Sequence, residues 1–219
     1  MQTLSEIKHL ISKEIKLEWR QRYAINGVIL YLLSMIFLIY LSFTSINSIT
    51  WITLYWIIIF FASINAVAKS FILERPARML YYYTICSAQA IIFSKSIYNF
   101  LLLLVLSAIG LLIFIAFAGN PIGNMNLFLL TMLLGSMGFS FALTMTSAIA
   151  SKGNNKSTLM SVLSFPIIIP VLLLLIKLSK AALAGETISE NIREILTLSS
   201  INLIVISTAF LLFPYLWRD

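Results

Sequence analysis

Six long apolar runs, separated by short polar connectors, take up most of the 219 residues. They fall at about Tyr23 to Phe43, Ile49 to Ala68, Ile97 to Ala118, Met125 to Ala150, Leu159 to Ile176 and Leu196 to Leu216. A helix needs about 20 apolar residues to cross a hydrocarbon core of about 30 Å, and only helices or closed barrels satisfy their own backbone polar groups there. The pattern predicts an all-α, polytopic membrane protein with six transmembrane helices, residues 23–219 forming one membrane domain.

Residues 1–22 follow a different period. At 100° per residue, Leu4, Ile7, Leu10, Ile11, Ile15 and Leu17 spread over one side of a helix, and His9, Lys13, Lys16 and Arg20 gather on the other. This predicts an amphipathic helix lying on the cytoplasmic membrane surface, with a basic face suited to anionic lipid and Trp19 as an interfacial anchor. The long charged stretch before the first apolar run, with no small-residue cleavage site after it, does not read as a removable signal peptide.

Charge settles the expected orientation. Of the 15 Lys and Arg residues, twelve lie on the side of the N-terminus under this topology, and only Lys177, Lys180 and Arg193 lie on the other. Basic residues in short loops resist translocation, so both termini are expected in the cytoplasm of a bacterial inner membrane. The net charge of +7 is then topological, and nucleic acid is not an expected partner, since no soluble surface exists to carry a basic patch. Only 11% of the residues are charged, far below the level of an ordinary soluble domain. The single cysteine, Cys86, excludes an intrachain disulfide.

The longest inner connector, about residues 69–96, holds Glu74, Arg75, Pro76 and Arg78 ahead of the run Tyr81, Tyr82, Tyr83. Pro76 can open a short helix, because its missing N–H is not needed in a first turn. A segment polar at its start and aromatic in its middle suits a surface knob offered to a cytoplasmic protein, with Glu74, Arg75, Arg78 and Tyr82 as docking candidates.

Two features concern packing. Gly138, Ala142, Thr146 and Ala150 recur every four residues along the fourth span, with Gly135 one turn earlier, so small residues form a ridge that another helix can approach closely. That helix belongs either to the same chain or to a second copy. In the fifth span Pro166 and Pro170 free the carbonyls of Val162 and Pro166 from helical bonding, which predicts a bend or opened backbone and makes them hinge candidates.

Catalytic chemistry is missing from the sequence. No G-x-x-x-x-G-K-[ST], H-E-x-x-H, nucleophile elbow or pair of intramembrane carboxylates is present. His9 alone cannot ligate a haem from both sides. No Asp or Glu falls inside the expected spans, which argues against a proton-coupled carrier. Neither catalysis nor a bound cofactor or metal is expected of this chain, and any driving energy must come from a partner.

The stretch Leu133-Leu134-Gly135-Ser136-Met137-Gly138, then Ser147-Ala148-Ile149-Ala150, a basic loop at Lys152 to Lys156, and Ser164-Phe165-Pro166-Ile167-Ile168-Ile169-Pro170-Val171-Leu172 resembles the CcmB family. That family comprises haem exporter protein B, the membrane subunit of the ABC-type cytochrome c maturation complex. The connector from Glu74 to Ser96 is similar to the family's first cytoplasmic loop, including the Glu-Arg start and Lys95 before the third span. The resemblance implies an ABC-type export-permease fold and a subunit without catalysis of its own, paired with a cytoplasmic ABC ATPase that holds the ATP. It further implies a homodimer within the complex and a separate membrane protein that handles haem. Motion of the connector, driven by ATP in the partner, would then pass through the third to fifth spans to deliver haem or release a haem-loaded chaperone. An ABC export permease for a lipid, polysaccharide or drug would share the interfacial helix, the six spans and the docking loop.

Overall fold

The computed structural model describes residues 2–21, 23–43, 46–72 and 86–218. Among these, eight helices follow one another: α1 (Gln2–Gln21), α2 (Tyr23–Ser42), α3 (Ser48–Val67), α4 (Lys69–Ile72), α5 (Ala88–Ala118), α6 (Met125–Ser151), α7 (Lys156–Ala184) and α8 (Ile192–Arg218). Polar side chains set where several of them begin. Asn47, Ser87 and Asn124 each accept a hydrogen bond from the backbone N–H three residues on, capping α3, α5 and α6. Gly185 stops α7 in a left-handed conformation, φ +82°, which costs a residue without Cβ nothing.

Among the described residues, five stretches are long and apolar enough to cross a membrane: Ser48–Ile72, Ala88–Ala118, Met125–Ser151, Thr158–Ala184 and Ile192–Leu216. The expected first span is the shortest, its described apolar part being Asn26–Ser42; the 20 residues of α2 reach about 30 Å. The protein is thus an all-α polytopic membrane protein.

Where helix ends differ from the sequence expectation by more than a residue, they differ toward longer helices. α5 starts at Ala88 rather than Ile97, because Ser87 caps it and no glycine or proline interrupts the polar stretch that follows. Its 31 residues reach about 46 Å, more than a bilayer core, so one end projects beyond the hydrocarbon. The connector, expected over 69–96, is therefore helical at both ends, as α4 and as the start of α5. α7 likewise continues to Ala184, so Lys177 and Lys180, expected in an outer loop, lie on its last turns. α8 starts at Ile192, and Lys177 Nζ sits 2.8 Å from Glu194 Oε1 across the shortened loop.

The hub is α6. Every residue from Gly138 to Ala148 is buried, and α3, α4, α5, α7 and α8 all pack against it. Small side chains make that possible. A Cβ at Gly135 would stand 2.9 Å from Leu175 of α7 and 3.0 Å from Trp56 of α3; one at Gly138 would stand 2.5 Å from Asn202 Oδ1 of α8 and 3.2 Å from Val171 of α7. Ala142, 1% exposed, continues the ridge. Its partners at these positions are thus helices of the same chain. The outer faces of α2 (Leu30, Phe37, Leu38, Leu41) and α8 (Leu203, Ile204, Leu211) are exposed and apolar, as a hydrocarbon environment requires.

Two apolar clusters divide the interior. The larger holds Trp51, Tyr55, Trp56, Phe114, Phe128 and Phe139. The smaller holds Leu10, Phe71, Ile91, Ile92, Met145 and Phe213, contributed by α1, α4, the start of α5, α6 and α8.

Candidate functional site

In sequence, residues 73–85 lie between α4 and the two residues that lead into α5. Both stems of that segment are tied to one polar junction. Lys95, two turns beyond the cap of α5 and 4% exposed, donates from Nζ to the Ser70 carbonyl of α4 at 2.7 Å. The same ammonium pairs with Glu14 Oε1 of α1 at 3.3 Å and stands 4.9 Å from the centre of the Phe71 ring. One turn on, the Asn99 amide donates to Ser70 Oγ and to Thr144 Oγ1, both at 2.8 Å. Thr144 Oγ1 in turn donates to the Ser140 carbonyl at 2.6 Å, and Ser140 Oγ donates to the Ser96 carbonyl at 2.5 Å. Four helices, α1, α4, α5 and α6, thereby meet at side chains of α5. Ser147 Oγ of α6 adds a longer bond, 3.4 Å, to the Ala68 carbonyl at the α3–α4 corner.

α1 runs alongside the start of α5. Eight residues before Glu14, Glu6 Oε2 accepts from Ser87 Oγ at 3.1 Å and from Ser87 N at 3.4 Å, matching the eight-residue step from Ser87 to Lys95. Two acids on α1 are thus clasped by α5. This shifts the packed face from the expected apolar stripe: Leu10 is buried, yet Ile15 is 45% exposed, and Lys13, expected on the outward face, is partly buried and pairs with Glu14 at 3.0 Å. His9, Lys8 and Lys16 face outward.

The charges in this junction support one another. Burial raises the pKa of Glu14, but the nearby Lys95 and Lys13 ammoniums outweigh that and hold the carboxyl below its ordinary value. The burial cost of the lysine is offset by the ion pair, a carbonyl and an aromatic face together. Removing one partner would strand the other, which is the costly way to break such a site.

The residues singled out in the sequence fall as follows. Glu74, Arg75, Arg78 and Tyr82 lie outside the described residues. Pro166 and Pro170 occur within α7, which continues helical through both, and both lie on its exposed side. Gly135, Gly138 and Ala142 form the inner face of α6. Among the described residues, no group of three His, Cys, Asp or Glu side chains is placed to hold a metal.

Sequence reading missed Glu14, Asn99 and Thr144, and took Lys95 as a topological charge and as part of the family resemblance, without a partner. A signal did exist: Lys95 and Asn99, four apart, stand at the start of a long apolar run, and Ser140 and Thr144, also four apart, lie in the second half of α6. Asn202, also missed, is 2% exposed, donates to the Leu134 carbonyl at 2.9 Å and fills the space that Gly138 leaves.

The model of the CcmB protein family matches residues 5–212. No curated protein matches the chain. With that match spanning α1 and nearly all of the membrane helices, the chain belongs to the CcmB family, the membrane component of the cytochrome c maturation haem export system.

Proposed function

We propose that this chain is the permease subunit that couples ATP hydrolysis by a separate cytoplasmic ABC ATPase to the release of a haem-loaded chaperone in cytochrome c maturation. The family match over residues 5–212 carries the reading. Haem is the cargo of partner subunits, and this chain supplies the moving framework. Both termini and the connector face the cytoplasm of a bacterial inner membrane, as the distribution of Lys and Arg requires.

In this reading Glu74, Arg75, Arg78 and Tyr82 contact the ATPase. α1 rests on anionic lipid through Lys8 and Lys16. Pro166 and Pro170 give α7 a softened segment on the side away from α6, where two carbonyls lack their helical partners. A second copy of the chain completes the complex over a pair of ATPase subunits.

The test is a gentle-detergent purification of the tagged chain from its native membrane, with identification of what accompanies it. An ABC ATPase together with a Trp-rich haem-handling membrane protein is the expected result. An ATPase without haem machinery would replace this reading by an export permease for a lipid, polysaccharide or drug. Absence of any ATPase would overturn the coupling role.

A further inference from the structure

Connector stems held by a small set of polar side chains offer a way to carry motion inward. On the N-terminal side the described stem of the connector is α4, Lys69–Ile72. Its backbone is fixed from α5, by the Lys95 ammonium on the Ser70 carbonyl, and its side chain by the Asn99 amide on Ser70 Oγ. The second amide hydrogen of Asn99 goes to Thr144 of α6, the helix against which α3, α7 and α8 also pack. Asn99 is 1% exposed, so water does not compete for these bonds. Among the described residues, these two side chains give α4 a polar path to the hub helix, beside its apolar contacts and the longer bond from Ser147 Oγ to the Ala68 carbonyl.

We propose that Lys95 and Asn99 are positioning residues for energy transfer: they transmit displacement of the connector stems to α6, with Glu14 of α1 setting the position of the Lys95 ammonium. The inference rests on the permease reading above, since only a connector driven by a partner would need transmission. Coupling through such a contact requires an element with two discrete arrangements, and the junction qualifies because Ser70 offers two acceptors to two donors that could exchange or release them without unfolding a helix.

The experiment uses the complete complex purified from membranes and compares wild type with Lys95→Met, Asn99→Leu, Glu14→Gln and Lys95→Arg. Three readouts are taken on each: ATPase retained in the complex, ATP hydrolysis per complex, and covalent haem attachment to c-type cytochromes in the cells. For Lys95→Met and Asn99→Leu, complex yield falls because a buried partner is stranded, but hydrolysis per complex stays at the wild-type level while haem attachment per complex falls by about 2- to 30-fold, the range that changes along a coupling network produce. Glu14→Gln gives a smaller loss of the same kind, and Lys95→Arg, which keeps charge and donors, restores most of the attachment. Unchanged attachment per complex in Lys95→Met and Asn99→Leu overturns the proposal. So does a parallel fall of complex yield, hydrolysis and attachment in all variants including the milder Glu14→Gln, which is the behaviour of residues that only hold the fold. Failure of the permease reading itself shows separately, as absence of an ATPase from the wild-type preparation.

Discussion

Around Trp51, Tyr55 and Trp56 the bundle closes on aromatic rings, whereas around Lys95 and Asn99 it closes on hydrogen bonds and an ion pair. In the first region, Trp51 packs against Phe114 with ring centres 4.9 Å apart and Tyr55 against Trp56 at 5.2 Å. The polar tips there are finished by single bonds, Trp56 Nε1 to Ser179 Oγ at 2.8 Å and Tyr55 OH to the Ser107 carbonyl at 3.1 Å. Aromatic packing of this kind loses contact energy steeply with any displacement, and a close-packed interior has one arrangement. Hydrogen bonds between short side chains can be exchanged for others at little net cost. The difference teaches where a helical membrane protein can yield: at the connector end, while the aromatic region serves as the fixed frame.

The largest expected effect comes from breaking the frame. Trp56→Ala removes a fully buried ring and should lower stability by about 3–5 kcal/mol, read as thermal unfolding in detergent; a loss no greater than that of an exposed-face change such as Leu203→Ala would mean that the aromatic region is no frame. Overfilling the seam between α6 and its neighbours is next. Gly138→Leu forces apart Asn202 and Val171, with an expected cost of about 1–3 kcal/mol by the same measurement. A melting temperature equal to wild type would show that α8 and α6 are not held by that close approach.

At the other end the effects are smaller and depend on conditions. The carboxyl of Glu14 has a lowered pKa in the folded chain, so its contribution is present in full above the ordinary glutamate value and is lost as pH falls through the lowered one. Spin labels on α1 and α5 should therefore report their separation at acid pH and not between pH 6 and 8. Glu14→Gln should loosen α1 at all pH values and abolish that acid step; an acid step of full size in the variant would assign it to another group. Changing Pro166 and Pro170 together to Leu should lower stability least of all, leaving the melting temperature no lower than wild type, because α7 is already helical through both positions and both face outward. Haem attachment should nonetheless fall if that segment is the hinge, and full attachment would exclude it.

The membrane architecture was readable because hydropathy reports directly on the solvent a helix must face, and the ridge at Gly135, Gly138 and Ala142 was readable because small residues at a period of four admit a neighbour. Which neighbour was not, since Leu175, Val171 and Asn202 announce no pairing in the chain. Helix ends misled wherever polar residues continued a helix: Gln89 and Lys95 look like connector, yet they lie on α5. The junction itself was illegible for a simpler reason. Glu14 and Lys95 are 81 residues apart, and a lysine beside an apolar run reads first as a topological charge, whatever it later pairs with.

Hydrogen exchange on the complete complex, with and without a non-hydrolysable ATP analogue, would separate the two regions most directly. Nucleotide should change exchange in α4, in the first turns of α5 through Asn99 and in α1, and leave the stretch Trp51 to Phe60 of α3 and Leu127 to Phe139 of α6 unaltered. Change confined to the aromatic region, or spread evenly over all the helices, would contradict the account of a fixed frame coupled through a polar junction.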